Sequence, residues 1–178
     1  QAGAGISLFT GSDNYLVTEN FICGNFASQD GAGIGHLGRS DQGLISNNTI
    51  IFNQVFQQTA GAGGAGGGIL ISGGVPLVEA TLSPGAGSIT IDNNLIQGNQ
   101  AGADDGGGIA LRMVNGQDTA GAQTNWYTAT ITNNVIVNNI TGLAGTVTLQ
   151  DTLKATISGN IIANNDSLAT SAGAFSAG

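Results

Sequence analysis

Five times in this chain an Asn is followed two residues later by Ile and five residues later by a second Asn. The sets are Asn20/Ile22/Asn25, Asn48/Ile50/Asn53, Asn94/Ile96/Asn99, Asn134/Ile136/Asn139 and Asn160/Ile162/Asn165. A β-branched residue stands three positions before each first Asn: Val17, Ile45, Ile91, Ile131 and Ile157. A motif that returns this regularly means one structural unit stacked on copies of itself. Any fold for the chain must place the five copies in equivalent surroundings.

Upstream of each set, small residues run into an apolar stretch: Gly3-Ala4-Gly5-Ile6, Gly31-Ala32-Gly33-Ile34, Gly66-Gly67-Gly68-Ile69, Gly106-Gly107-Gly108-Ile109 and the weaker Ala144-Gly145-Thr146-Val147. Alternation follows in Ile6/Leu8, Ile69/Ile71, Ile109/Leu111 and Val147/Leu149. Period-two alternation in short runs reads as strand with one face buried, and β-branched residues suit it. Helical periodicity is absent, and 31 glycines would break any helix. The fourth copy shows three strands best, at 108–112, 129–133 and 135–139. Between the second and third stands only Asn134, and Asn tolerates the left-handed backbone angles that turn a corner in one residue.

Three short strands per copy predict an all-β right-handed parallel β-helix, a solenoid of about five coils. Neighbouring strands stack about 4.8 Å apart, so five coils make a segment of about 24 Å. Equivalent residues then form columns. Ile22, Ile50, Ile96, Ile136 and Ile162 are expected as an interior stripe. Asn20, Asn48, Asn94, Asn134 and Asn160, and likewise Asn25, Asn53, Asn99, Asn139 and Asn165, are expected as structural ladders whose amides bond from coil to coil.

The 178 residues are read as one domain, 1–178, with 40 % hydrophobic content for a core and only 8 % charge. No run approaches the 18 apolar residues of a membrane helix, so no membrane insertion is expected. Eleven acids against three cations give a net charge of −8, which excludes a basic face for nucleic acid and opposes docking on anionic lipid. One cysteine rules out an intrachain disulfide framework, and Cys23 falls in a predicted strand, where an inert buried thiol is expected. The Lys-poor, Asn/Gly/Thr-rich composition suggests an extracellular or cell-surface protein.

Two insertions break the repeat, at 73–87 in coil three and 113–127 in coil four. They occupy the same position in adjacent coils, so they should project side by side from one edge, where solenoid insertions often bind ligands. Arg39, Arg112 and Lys154 are placed at that edge, with Asp13, Asp41, Glu79, Asp118, Asp151 and Trp126. Either this is simply where polar residues gather, or it is a ligand edge formed by Trp126, Tyr127, Arg112, Glu79 and Asp118. The Gly/Ala run at 60–68 reads as a connector between coils two and three.

Asp104 and Asp105 precede the glycines of coil four and are either a solvated acidic turn or a calcium site, since hard oxygen ligands suit that ion. Asp30 precedes those of coil two, which is not adjacent, so no column of stacked carboxylates forms. No metal or cofactor other than this calcium is expected. His36 takes an inward position where other coils carry Leu8, Ile71, Leu111 and Leu149; it is either buried and hydrogen-bonded or turned out by a bulge at Gly35. A catalytic His needs a carboxylate or nucleophile beside it, and none is apparent. Asn47, Asn139 and Asn165 each begin a glycosylation sequon, and the last two are ladder positions where the match would be occluded.

These residues resemble the right-handed β-helix, pectin-lyase-like superfamily, and within it bacterial surface proteins and autotransporter passengers. Chlamydial polymorphic membrane proteins carry repeated GGA[ILV] and FxxN motifs. Here GAGI and GGGI stand for the first, and the I-x-x-N series from Ile22/Asn25 to Ile162/Asn165 for the second, with Ile in place of Phe. The resemblance covers nearly the whole chain and implies architecture rather than activity, since the superfamily spans lyases, hydrolases, epimerases, adhesins and phage tailspikes.

The expected function is structural: an extracellular β-solenoid, either a segment of a surface protein or adhesin, or a protomer that stacks head-to-tail into a fibre. The chain starts within the repeat, lacks an initiator Met, and closes on Ala172-Gly173-Ala174-Phe175, which reads as the start of a sixth coil. Self-association through open ends, or continuation in a longer chain, is the expected partnership. No catalytic constellation assembles from the sequence. The alternative is a carbohydrate-binding or polysaccharide-processing β-helix using the edge around Trp126, because aromatic rings beside polar side chains suit saccharides.

Overall fold

The computed structural model describes residues 3–57, 64–73, 85–115, 124, 126–171 and 174–177. Three parallel sheets of five strands carry the fold. The first holds β1 (Ile6–Phe9), β5 (Ile34–Leu37), β9 (Ile69–Ser72), β12 (Ile109–Arg112) and β16 (Val147–Gln150). The second holds β2 (Leu16–Thr18), β6 (Gly43–Ser46), β10 (Ile89–Asp92), β13 (Thr128–Thr132) and β17 (Lys154–Ser158). The third holds β3 (Phe21–Cys23), β7 (Thr49–Ile51), β11 (Leu95–Gln97), β14 (Val135–Val137) and β18 (Ile161–Ala163). The chain visits the sheets in turn and returns one strand further along, so it is a parallel β-helix of five coils.

Register follows the sequence columns. Ile6 pairs with Ile34, then Ile69, Ile109 and Val147. Val17 aligns with Ile45, Ile91, Ile131 and Ile157. Ile22 aligns with Ile50, Ile96, Ile136 and Ile162. A one-residue slip would turn each column outward, so burial fixes the pairing. Ile50, Ile96 and Ile136 are fully buried and lie in one cluster with the inward residues of the other two sheets. Each such side chain contributes about 1.5–3 kcal/mol by leaving water.

Each coil also has a short fourth segment after its second Asn. It comprises β4 (Phe26–Ala27), β8 (Gln54–Val55), bridges joining Gln54, Gln100 and Ile140, then β15 (Ile140–Thr141) and β19 (Asp166–Ser171). The second Asn ladder is therefore a corner between two strands rather than the end of the coil. After β19, β20 (Ala174–Ala177) runs back antiparallel to it. Of the stretch read as the start of a sixth coil, the described residues Ala174 and Phe175 instead pair antiparallel with Ser171 and Thr170.

The corners divide their work between two residues. The left-handed angle expected at the ladder Asn falls one position earlier, on Asn133 (φ 56°) before Asn134, and on Asn138 (φ 56°) before Asn139. Glu19, Asn47, Asn93 and Gly159 take this place at the other first corners, and Gly24, Phe52, Gly98 and Asn164 at the other second corners. Turning the backbone in the preceding residue leaves the ladder Asn free to aim its amide along the stack. Cys23 differs from expectation: it lies in β3 as predicted, but with Phe21 on the outer face, so the thiol is exposed. Among the described residues no helix is long and apolar enough to cross a membrane.

Candidate functional site

The two Asn columns form continuous ladders with one direction. The main-chain N–H of Asn48 donates to Asn94 Oδ1 at 3.0 Å, that of Asn94 to Asn134 Oδ1 at 2.9 Å, and that of Asn134 to Asn160 Oδ1 at 2.8 Å. Asn20 donates likewise to Asn48. Each Nδ2 adds a bond to the same Oδ1, and those of Asn48, Asn94, Asn134 and Asn160 also reach a strand carbonyl of the preceding coil, as Asn94 does to Ile45 O at 2.9 Å. The second ladder repeats this from Asn25 through Asn53, Asn99 and Asn139 to Asn165. The six Asn side chains of coils two to four are buried, so each bond also removes the penalty of an unpaired amide.

The interior stripe ends unevenly. Ile22 is 6 % exposed, Ile50, Ile96 and Ile136 are fully buried, and Ile162 is 48 % exposed.

At the insertion edge, Arg39 Nε donates to Tyr127 Oη at 2.6 Å, and its guanidinium carbon lies 5.7 Å from the Tyr127 ring centre. This hydrogen bond, with the charge attraction of the phenol, holds the Arg39 pKa above its usual range. The contact ties coil two to the residue that re-enters coil four. Trp126 is half-buried, and its Nε1 is buried without an acceptor among the described residues. Glu79 and Asp118 lie outside the described residues, as do most of the two insertions.

Arg112 is not part of this edge. Its guanidinium runs back to Asp104 Oδ2 at 2.7 Å and stands 4.0 Å from Asp105. The other carboxylate oxygens also have work within the chain. Asp104 Oδ1 accepts the Asp105 N–H at 3.1 Å, and Asp105 Oδ1 accepts the Ala144 N–H of the next coil at 3.2 Å. The calcium candidate is therefore a carboxylate pair facing the chain's own cation, a poor fit for a hard dication. Among the described residues no three His, Cys, Asp or Glu gather as a metal set. Asp30 acts in the same way, accepting N–H groups from Gly64 at 2.8 Å and Ala65 at 3.0 Å.

His36 is buried and bonded on both ring nitrogens. Tyr15 Oη lies 2.9 Å from Nδ1, while Nε2 lies 2.8 Å from Gly38 O and 3.1 Å from Ala86 O. Carbonyls only accept, so Nε2 carries the proton and Nδ1 receives the Tyr15 hydroxyl. Burial lowers the His36 pKa, against the two carbonyl bonds that raise it, and burial raises that of Tyr15. The imidazole acts as a polar plug between coils.

Sequence reasoning missed a third ladder, at the corner between the first and second sheets. Asp13 Oδ1 accepts the Asp41 N–H at 2.7 Å, Asp41 Oδ1 accepts the Ser88 N–H at 2.7 Å, and Ser88 Oγ accepts the Thr128 N–H at 3.2 Å. Asn115 Oδ1 takes the Leu153 N–H at 2.6 Å one coil on. Here the side chain of one coil holds the N–H of the next, opposite in direction to the Asn ladders. Only its first two members, Asp13 and Asp41, share a residue type before Ser88 and Asn115 replace it, so no repeated letter runs through the coils.

No protein-family model matches the chain, and neither the curated proteins nor the solved structures searched gave a match.

Proposed function

We infer that this chain is a structural extracellular β-solenoid, either a segment of a surface protein or adhesin, or a protomer that stacks head-to-tail into a fibre. What carries the reading is the pair of one-directional Asn ladders running through all five coils. Such an array is extended by adding coils, each stabilised by its neighbours. The sequence resemblance to pectin-lyase-like bacterial surface proteins points the same way. The working residues are then the ladders and the interior stripe.

A second reading is carbohydrate binding or processing at the insertion edge. It is favoured by Trp126, half-buried with its indole N–H unpaired among the described residues, beside the Arg39–Tyr127 contact. Saccharides match such a site with an apolar face and a hydrogen-bonding rim. Negative-stain electron microscopy over a concentration series, paired with glycan-array and polysaccharide-turnover assays, separates the two. Filaments, or discrete particles without turnover or saturable glycan binding, support the structural reading. Turnover, or glycan binding abolished by Trp126→Ala, overturns it.

A further inference from the structure

The first and last coils differ in how well their inward faces are covered. Val17 and Ile22 in coil one are each 6 % exposed, whereas Ile157 and Ile162, their counterparts in coil five, are 46 % and 48 % exposed. In the second and third sheets the inward side chains therefore lean toward the coil that follows, whereas in the first sheet Ile6 and Leu8 at one end and Val147 and Leu149 at the other are alike partly buried. The first coil presents a recess of about 300 Å³ bounded by Gly5, Ile6, Asn20, Ile22 and Asn25. The fifth coil presents apolar side chains that project.

The polar groups divide in the same sense. Every ladder N–H points to the Oδ1 of the following coil. Asn20 and Asn25 thus offer Oδ1 atoms that no ladder N–H of the described residues reaches. Asn160 and Asn165 offer main-chain N–H groups with no ladder acceptor among those residues. The outer edges of β2 and β3, and of β16, β17 and β18, pair with no other strand among the described residues. Charge agrees. Thr156 shares the column of Leu16, so Lys154, two residues before it, corresponds to Asn14, the neighbour of Asp13.

We propose that the first coil of one copy seats on the fifth coil of another in the register the coils use within the chain. Asn160 and Asn165 donate their N–H groups to Asn20 and Asn25 of the next copy, Ile157 and Ile162 enter the recess, and Lys154 meets Asp13. This rests on the structural reading and adds to it a partner, a polarity and a register. Because coil five accepts only coil one, the contact is heterologous and open, and it repeats without closing. One element stands in its way. β20 lies along β19 in the layer that Phe26–Ala27 of the incoming coil would fill, so seating displaces β20.

The test is disulfide cross-linking in a Cys23→Ser background. Thr18 and Ser158 share one outward column, so Thr18→Cys with Ser158→Cys places matched thiols on the two end faces. Thr18→Cys with Thr156→Cys shifts one thiol by two residues, which raises the expected Cα separation from about 5 Å to about 8 Å, beyond disulfide reach. Mild oxidation should yield a ladder of linked multimers from the matched pair, about tenfold over the shifted pair. Adding Ser176→Pro, which weakens β20 by removing an N–H, should raise the yield further. Equal yields from the two pairs overturn the register. No multimers from either pair, even with Ser176→Pro, overturn the copy-to-copy site. In both cases filaments or discrete particles without glycan turnover would leave the structural reading in place.

Discussion

The Asn corners and the corner between the first and second sheets make similar turns by different chemistry. At the Asn corners one residue type recurs in every coil, its amide is buried in the middle coils, and from coil two to coil five each side chain both donates and accepts. At the other corner Asp13, Asp41, Ser88 and Asn115 succeed one another, only accept from the next coil, and lie nearer solvent. That corner also carries the insertions and His36. Uniform chemistry serves where coils must be identical and dry, and mixed chemistry serves where each coil leaves the path differently.

Asn99→Ala should show the largest effect. It removes the acceptor of the Asn53 N–H and Nδ2, and the donor to Ile50 O, all in a buried site. A loss of about 3–5 kcal/mol is expected, read from denaturant unfolding. A loss under about 1 kcal/mol would erase the contrast between the corners. Asp41→Ala removes the acceptor of the Ser88 and Gln42 N–H groups nearer to water, and about 1–2 kcal/mol is expected.

Acid should act on the mixed corner alone. The His36 pKa is lowered in the folded chain, so unfolding takes up a proton that the folded state resists. Its stabilising share is complete above the ordinary histidine pKa and is lost as pH falls below about 6.5 toward the folded value. Amide exchange at Gly38 and Ala86 should quicken on acidification while the Asn ladders keep their protection, and His36→Leu should flatten the response. Uniform quickening of both corners would count against the assignment. Smallest is Arg39→Ala, about 0.5 kcal/mol or less, since the guanidinium is exposed and screened. A larger loss of thermal stability would mean that the Tyr127 contact anchors the insertion edge.

What could be read in the sequence follows this division. Columns such as Ile22 to Ile162 and the two Asn series were legible because one structural role kept one residue type. The fourth segment was not, because β4 and β8 are two residues each, too short for a period. The left-handed residues were hidden because Glu19, Asn47, Phe52 and Gly98 share a backbone angle but no chemistry. Arg112 was misplaced because its backbone lies near the insertion edge while its long stem carries the charge back to Asp104. Of the proposed ligand edge, Trp126 and Tyr127 are neighbours in the chain, and the contact that marks it, Arg39 to Tyr127, spans 88 residues.

In a stacked solenoid the bonds between coils run along the axis, so the response to tension is set by how coils are joined. Pulling the ends apart loads one inter-coil layer at a time, like peeling, rather than shearing all layers together. Successive ladder positions are 28, 46, 40 and 26 residues apart. A coil that opens can therefore lengthen the molecule by roughly 90 to 160 Å, against the few ångströms it occupied when stacked. Under a sudden pull the molecule would yield in discrete steps, and the covalent thread would stay intact while each opened coil takes up slack and can close again when the force drops.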